Sequence, residues 1–142
     1  MKISPAGMAL ILQFEGFSPT AYRCPAGWWT IGYGHVLRLG EAPMVLDEAA
    51  AQALLTEDVS RVEKAMLRLI RTPLTQPQWD ALVSFTYNLG AGALQRSRLR
   101  QLVNRGEHPA VPAELMRWVW GGGRILPGLI RRRAAEAALY RA

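Results

Sequence analysis

Apolar residues recur at helical spacing from the first turns of the chain. Met8, Ile11, Leu12 and then Glu15 fall at i, i+3, i+4 and i+7, so they share one face of a helix. Ser4-Pro5 has the chemistry of an N-cap followed by a first-turn proline, and Gly16 is a natural stop. The stripe therefore ends in a carboxylate. Glu15 there is partly desolvated and faces the negative end of the helix dipole, a setting suited to a proton donor. The plainer alternative is a glutamate that frays into solvent just past the stripe.

The period then changes. Ala21-Tyr-Arg-Cys24 leads into Pro25-Ala-Gly27, which has turn chemistry, and Trp28 to Val36 continues as the partner strand of a β-hairpin over 21–36. Alternation puts Trp28, Thr30, Gly32 and Gly34 on one face, with Trp29, Ile31, Tyr33 and His35 on the other. The first set makes a poor core but a good floor for a flat ligand, because glycine admits close backbone approach. From Asp47, an N-cap, a long helix is predicted to about Ile70, with Ala51, Leu54, Leu55, Val59, Val62, Met66 and Leu69 as its stripe. Asp58 interrupts that stripe, and a charge pointing inward needs a partner. His35 is the candidate; an exposed Asp58 beside Arg61 is the alternative.

Further helices are signalled at about 76–89, 97–105, 110–120 and 127–141. Gly90 and Gly106 act as stops, Ser97 as a cap and Pro127 as a first-turn residue. The helix at 76–89 is apolar around much of its circumference and should be central. Residues 121–128 form a flexible, basic connection. The expected class is α+β, mainly α: a small N-terminal lobe with a β-hairpin, joined by the long helix to a helical C-terminal lobe. A cleft between two such lobes is a usual place for a ligand.

Composition narrows the chemistry. A single cysteine among 142 residues excludes an internal disulfide and leaves a thiolate zinc cluster without partners. Only two histidines, His35 and His108, stand far apart, so no metal and no cofactor is expected. The net charge of +6 suits an anionic partner such as nucleic acid, phospholipid or an acidic wall polymer, or else a solvated basic surface. The apolar run before Glu15 is too short to span a membrane and lacks the layout of a cleaved signal, so a soluble chain without an export signal or anchor is expected. A glutamate at a helix end, facing a hairpin that bears a thiol and a hydroxyl, suits cleavage of an acetal. Glycoside hydrolysis needs a proton donor on one side of the bond. On the other it needs a base at roughly 6.5–9.5 Å from the donor, or a nucleophile at about 5 Å.

The spacing Glu15, eight residues, Cys24, five residues, Thr30, closed by Ile-Gly-Tyr-Gly-His35, resembles the catalytic signature of the phage-type lysozymes, the endolysins of glycoside hydrolase family 24. Leu54-Leu-Thr-Glu-Asp58-Val resembles that family's bridging helix, and Phe85-Thr-Tyr-Asn-Leu-Gly90 its central helix. Trp118 with Gly-Gly-Arg124-Ile-Leu-Pro-Gly-Leu-Ile-Arg-Arg-Arg133 is similar to its C-terminal motif. The resemblance implies a single lysozyme-like domain over 1–142, with a small lobe at about 14–60 and a helical lobe from about 1–13 and 61–142. It also implies a muramidase, usually inverting, that hydrolyses the β-1,4 bond between N-acetylmuramic acid and N-acetylglucosamine in bacterial peptidoglycan.

In that scheme Glu15 is the general acid and Thr30 holds the attacking water. Cys24 occupies the place of the residue that activates or steers the water. It can act there as an acceptor, a thiolate base or a nucleophile, or be no more than a small buried hydrophobe; a thiol with a reference pKa of about 8.5 is mostly protonated at neutral pH. The resemblance puts Tyr87, Asn88 and Arg124 on substrate and makes His35 and Asp58 a structural ion pair. Gly32 and Gly34, from the strand pattern, line the substrate floor. It further implies a monomer whose partner is peptidoglycan, held in the host cytoplasm until holin-mediated release; the positive charge, for its part, suits electrostatic contact with an anionic envelope, and no nucleic-acid partner is expected. Rival readings are a lytic transglycosylase using the same glutamate and a non-enzymatic envelope disruptor working through the cationic helix 130–141. A nucleic-acid binder is the weakest rival, because the arginines are scattered without a recognition motif.

Overall fold

The computed structural model describes residues 1–23, 27–38, 41 and 45–142. Helix α1 runs Pro5–Glu15, capped by Ser4, whose side chain accepts from the Gly7 N–H at 3.3 Å, and ended by Gly16. It packs closely on the central helix α3, Gln76–Leu89. A Cβ on Gly7 would lie 2.7 Å from Asp80, and the buried Asp80 carboxylate accepts from the Ser4 N–H at 3.0 Å and from the Ser4 hydroxyl. The cap of one helix is thus pinned by a carboxylate of the other.

Strands β1, Ser18–Arg23, β2, Trp29–Gly32, and β3, His35–Val36, form an antiparallel sheet in that order. This corrects the expected two-stranded hairpin. Gly32 and Gly34 take φ of 67° and 86°, so the chain reverses through Tyr33-Gly34 and Ile31 pairs with His35, Thr30 with Val36. Alternation holds to Ile31 and fails from Gly32 on, because the left-handed backbone there ends the pleat. Pro25 and Ala26 of the expected turn lie outside the described residues.

Helix α2 runs Glu48–Leu69, with the Asp47 carboxylate accepting from the Ala50 N–H at 2.7 Å. Its predicted stripe faces the core, with Ala51, Leu55, Val59 and Met66 buried. Helix α3 is capped by a reciprocal pair, Thr75 and Gln78, and is buried continuously from Trp79 to Thr86. Phe85 meets Trp118 edge-on at 5.4 Å, a geometry that adds about 0.5–1.5 kcal/mol to simple burial.

Beyond α3 the structure departs from the expectation in two places. The helix expected at 97–105 is α5, Arg98–Asn104, preceded by an unforeseen short helix α4, Ala91–Arg96. The helix expected at 110–120 is only α6, Val111–Leu115, entered from a 3-10 turn at His108–Ala110. The chain turns at Met116-Arg117 and enters β4, Trp120–Gly121, which pairs with β5, Arg124–Ile125. The expected flexible connection therefore begins as a hairpin, with Gly122 and Gly123 at positive φ forming its tip. Helix α7, Pro127–Arg141, closes the fold on α3 and α6.

Candidate active site

Three elements converge on the carboxyl of Glu15, the last residue of α1. Its side chain is 15% exposed. From α7, the Arg132 guanidinium donates to Oε1. From the β2–β3 turn, Gly34 approaches so closely that a Cβ there would stand 2.5 Å from Oε2, which makes glycine a requirement in both space and backbone angle. From α3, the Tyr87 hydroxyl donates to the Tyr33 carbonyl at 2.7 Å, tying the turn to the central helix. Burial, and next the nearby Glu15 carboxylate, push the Tyr87 phenol above its ordinary value, so it remains a donor at neutral pH.

Arg132 is held from behind. Its Nη2 donates to the Ser84 carbonyl at 3.2 Å, its Nε faces Glu136 Oε2 at 3.4 Å, and its guanidinium lies 5.9 Å from the Phe14 ring centre. Next to it, Arg133 Nε meets Glu136 Oε1 at 2.6 Å, and Arg133 Nη2 donates to Asn88 Oδ1 at 2.8 Å. Burial pushes the Glu136 carboxyl up while Arg133, Ser84 and Arg132 pull it back. Two guanidiniums in direct contact are the decisive influence, and the pair is ionic.

The other predicted site residues fall as follows. Thr30 is buried, at 4% exposure, and its hydroxyl donates to the Trp28 carbonyl at 3.2 Å, a bond that uses its proton and not the lone pairs with which the oxygen can accept. Gly34 lies against Glu15, but Gly32 faces Leu46 and Ala51, where a Cβ would meet side chains at 3.4–3.5 Å. Gly32 therefore belongs to the packing side of the sheet, a consequence of the backbone reversal that alternation could not show. Asn88 and Arg132 share a 910 Å³ groove with Gln13, Phe14, Leu126 and Leu129. Arg124 stands exposed on β5, in the hairpin that leads into that groove at Leu126. Cys24 lies outside the described residues.

His35 and Asp58 pair as the interrupted stripe predicted, Nδ1 to Oδ2 at 2.8 Å. Two further groups complete that cluster: Glu41, which the sequence did not suggest, and Arg61, the neighbour named in the alternative reading of Asp58. Glu41 Oε2 sits 3.1 Å from His35 Nε2, and Arg61 donates to the other Asp58 oxygen. The Arg38 N–H and then His35 hold the Glu41 carboxyl below the usual carboxylate range.

Sequence reasoning gave Arg132, Arg133 and Glu136 no role in the site and weighed the helix 130–141 only for its cationic face. A signal was present. These residues share the phase of Ala137 and Tyr140, the buried side of α7, and Glu136 stands four residues after Arg132 and three after Arg133.

The arrangement of a gripped helix-end carboxyl beside a small sheet and a groove is that of a lysozyme-like hydrolase. Residues 12–136 match the family model for phage lysozyme, and the chain belongs to the phage lysozyme family. It is 42% identical over 144 residues to an endolysin of Acyrthosiphon pisum secondary endosymbiont phage 1, covering 99% of this chain and 98% of that one. An endolysin of Bacillus phage B103 is 39% identical over 142 residues, where 99% of this chain spans 54% of the relative. The solved muramidase domain of SpmX from Asticaccaulis excentricus superimposes with a TM-score of 0.89 at 39% identity, covering 99% of this chain and 98% of that one. The chain is accordingly a glycoside hydrolase of the muramidase class, with the peptidoglycan-degrading function of an endolysin.

Proposed function

We propose that the chain hydrolyses the β-1,4 bond between N-acetylmuramic acid and N-acetylglucosamine, with Glu15 as the general acid and inversion at the anomeric carbon. The observation that carries this is the setting of Glu15: a largely enclosed carboxyl fixed by Arg132 and the Gly34 turn, next to a groove large enough for a saccharide. Glu15 gives its proton to the glycosidic oxygen as the bond to the anomeric carbon breaks. Arg132, already in place, then stabilises the carboxylate that remains. Water adds from the opposite face, donating a hydrogen bond to the Thr30 hydroxyl oxygen, and its second proton passes to a Cys24 thiolate or, where the thiol only steers the water, to solvent.

On the binding side, Asn88 keeps its amide N–H groups for the glycan, since its carbonyl oxygen is taken by Arg133. Tyr87 supports the wall of the cleft, Gly34 gives the sugar access to the acid, and the exposed Arg124 suits the carboxylates of a peptide-bearing glycan. His35 and Asp58 keep the sheet attached to α2. The enzyme acts on the bacterial wall as a monomer, with its positive charge favouring contact with an anionic envelope. It waits in the host cytoplasm until a holin-type hole opens. Among the described residues no helix is long and apolar enough to cross a membrane.

Glu15→Gln is the test. Removing the proton donor is expected to lower wall-lysis activity by about 10²–10⁴-fold, and activity within about tenfold of wild type would defeat the assignment. Mass spectrometry of the products separates hydrolysis, which leaves a reducing end, from transglycosylation, which leaves an anhydro sugar. Full activity in Cys24→Ser would exclude both the base and the nucleophile roles for the sulfur.

A further inference from the structure

Three charged side chains occupy the buried face of α7: Arg132, Arg133 and Glu136, at 3%, 0% and 0% exposure. Apolar residues of similar volume would serve packing equally well, and often better, because desolvating ions is costly. Glu136 is the hub. Its Oε2 accepts from the Ser84 hydroxyl at 2.6 Å and from Arg133 Nη2 at 3.0 Å, and faces Arg132 Nε at 3.4 Å; its Oε1 meets Arg133 Nε at 2.6 Å.

From this hub the two guanidiniums diverge. Arg132 reaches forward to Glu15 Oε1, and Arg133 reaches to Asn88 Oδ1 at 2.8 Å. Without the carboxylate between them, two adjacent positive charges would repel and neither fork would be fixed. One buried carboxylate thus stands behind two groups assigned different tasks on the substrate.

We propose that Glu136 is a positioning residue of the hydrolytic site, clamping Arg132 against Glu15 and, through Arg133, turning the Asn88 amide toward the groove. The inference rests on the reading of Glu15 as the acid and Asn88 as a substrate contact. Glu136 touches neither glycan nor water. It acts on turnover through Arg132 and on substrate binding through Arg133 and Asn88, two routes that separate in kinetics.

The experiment uses the full chain, a soluble peptidoglycan fragment and thermal unfolding by circular dichroism. Glu136→Gln keeps the shape and removes the charge. In folded protein it is expected to lower kcat by about 10- to 100-fold, as loss of a supporting partner behind a working group commonly does, and to raise KM. In an Asn88→Ala background the same substitution should still lower kcat but raise KM no further, because its route to binding is gone. A folded Glu136→Gln protein with kcat and KM within about twofold of wild type overturns the proposal, as does a KM effect that adds in full on Asn88→Ala. If Glu136→Gln is unfolded at the assay temperature, Ser84→Ala decides. It removes one donor to Glu136 and should lower kcat several-fold; an unchanged kcat overturns the proposal. With Glu15→Gln in the same series, an inactive Glu15→Gln beside a normal Glu136→Gln defeats the clamp alone. An active Glu15→Gln defeats the acid and the clamp together.

Discussion

Glu15 and Arg132, separated by 117 residues in the chain, form an ion pair that joins the last residue of the first helix to the last helix of the fold. The acid of the proposed mechanism is therefore positioned by a group that only the folded chain brings to it. Because Arg132 is itself nearly enclosed, its fork has one arrangement, with Nη1 on Glu15 and Nη2 on the Ser84 carbonyl.

Arg132→Lys is expected to keep the charge and lose the fork. Lysine cannot hold Glu15 and Ser84 at once, so kcat should fall by about 10- to 100-fold with little change in KM. Steady-state kinetics on soluble glycan reads the split, and an unchanged kcat would show that the charge alone suffices.

Gly34→Ala should damage the site and the fold together. Its φ of 86° disfavours any side chain, at a cost of about 1–3 kcal/mol, and the added methyl would displace the Glu15 carboxylate. Activity is expected to fall by about 10²-fold per folded molecule. Gly16→Ala is the control: it has a similar φ of 64° but nothing within 4 Å, so it should lose stability and keep most of its turnover. Equal turnover in both variants, per folded molecule, would separate Gly34 from the chemistry.

The cluster around His35 governs the acid side of stability. Glu41 is held below the ordinary carboxylate range by the Arg38 N–H and by His35. Its stabilising contribution is thus complete above the unfolded value of about 4.3 and is lost as pH falls through the lower folded value. Glu41→Gln should flatten that part of the stability–pH curve in denaturant titrations. Asp58→Asn should lower stability more strongly, toward the roughly 3–5 kcal/mol expected when one partner of a buried pair is removed, discounted because Arg61 beside it is well exposed.

The alkaline side is set by tyrosines. Tyr33, through its hydrogen bond to Glu48, and Tyr87 and Tyr140, through burial, all hold their protons above the ordinary phenol value. The unfolded chain releases these protons near pH 10 while the native one keeps them, so the unfolded state binds fewer protons and stability falls as pH rises past about 10. Phenolate absorbance should appear together with loss of helical circular dichroism. Earlier ionisation of all the tyrosines in a fully folded protein would contradict this.

Much of the architecture is legible along the chain because its causes are local. Ser4-Pro5, Asp47, Thr75 and Pro127 start helices by satisfying or omitting the first N–H groups, and the 3.6-residue stripe tells which face is buried. The same arithmetic marked Asp58 as a buried charge in need of a partner and found His35. Glu15 at a helix end, and its spacing to Thr30, were equally visible. Alternation failed at Gly32, because glycine backbone angles are chosen by what packs around them, and short segments such as α4 and the β4–β5 hairpin carry too few residues for a period.

What tertiary structure alone decided is who stands next to Glu15. Gly34, Tyr87 and Arg132 come from three elements widely separated in sequence, and Glu136 is linked to Glu15 only through Arg132, one of three consecutive arginines that in sequence read as a cationic run. Helix caps and stripes are fixed by neighbours within a few residues. The charge balance of a buried site is fixed by neighbours in space, where a desolvated ion persists only if the fold supplies its counter-ion.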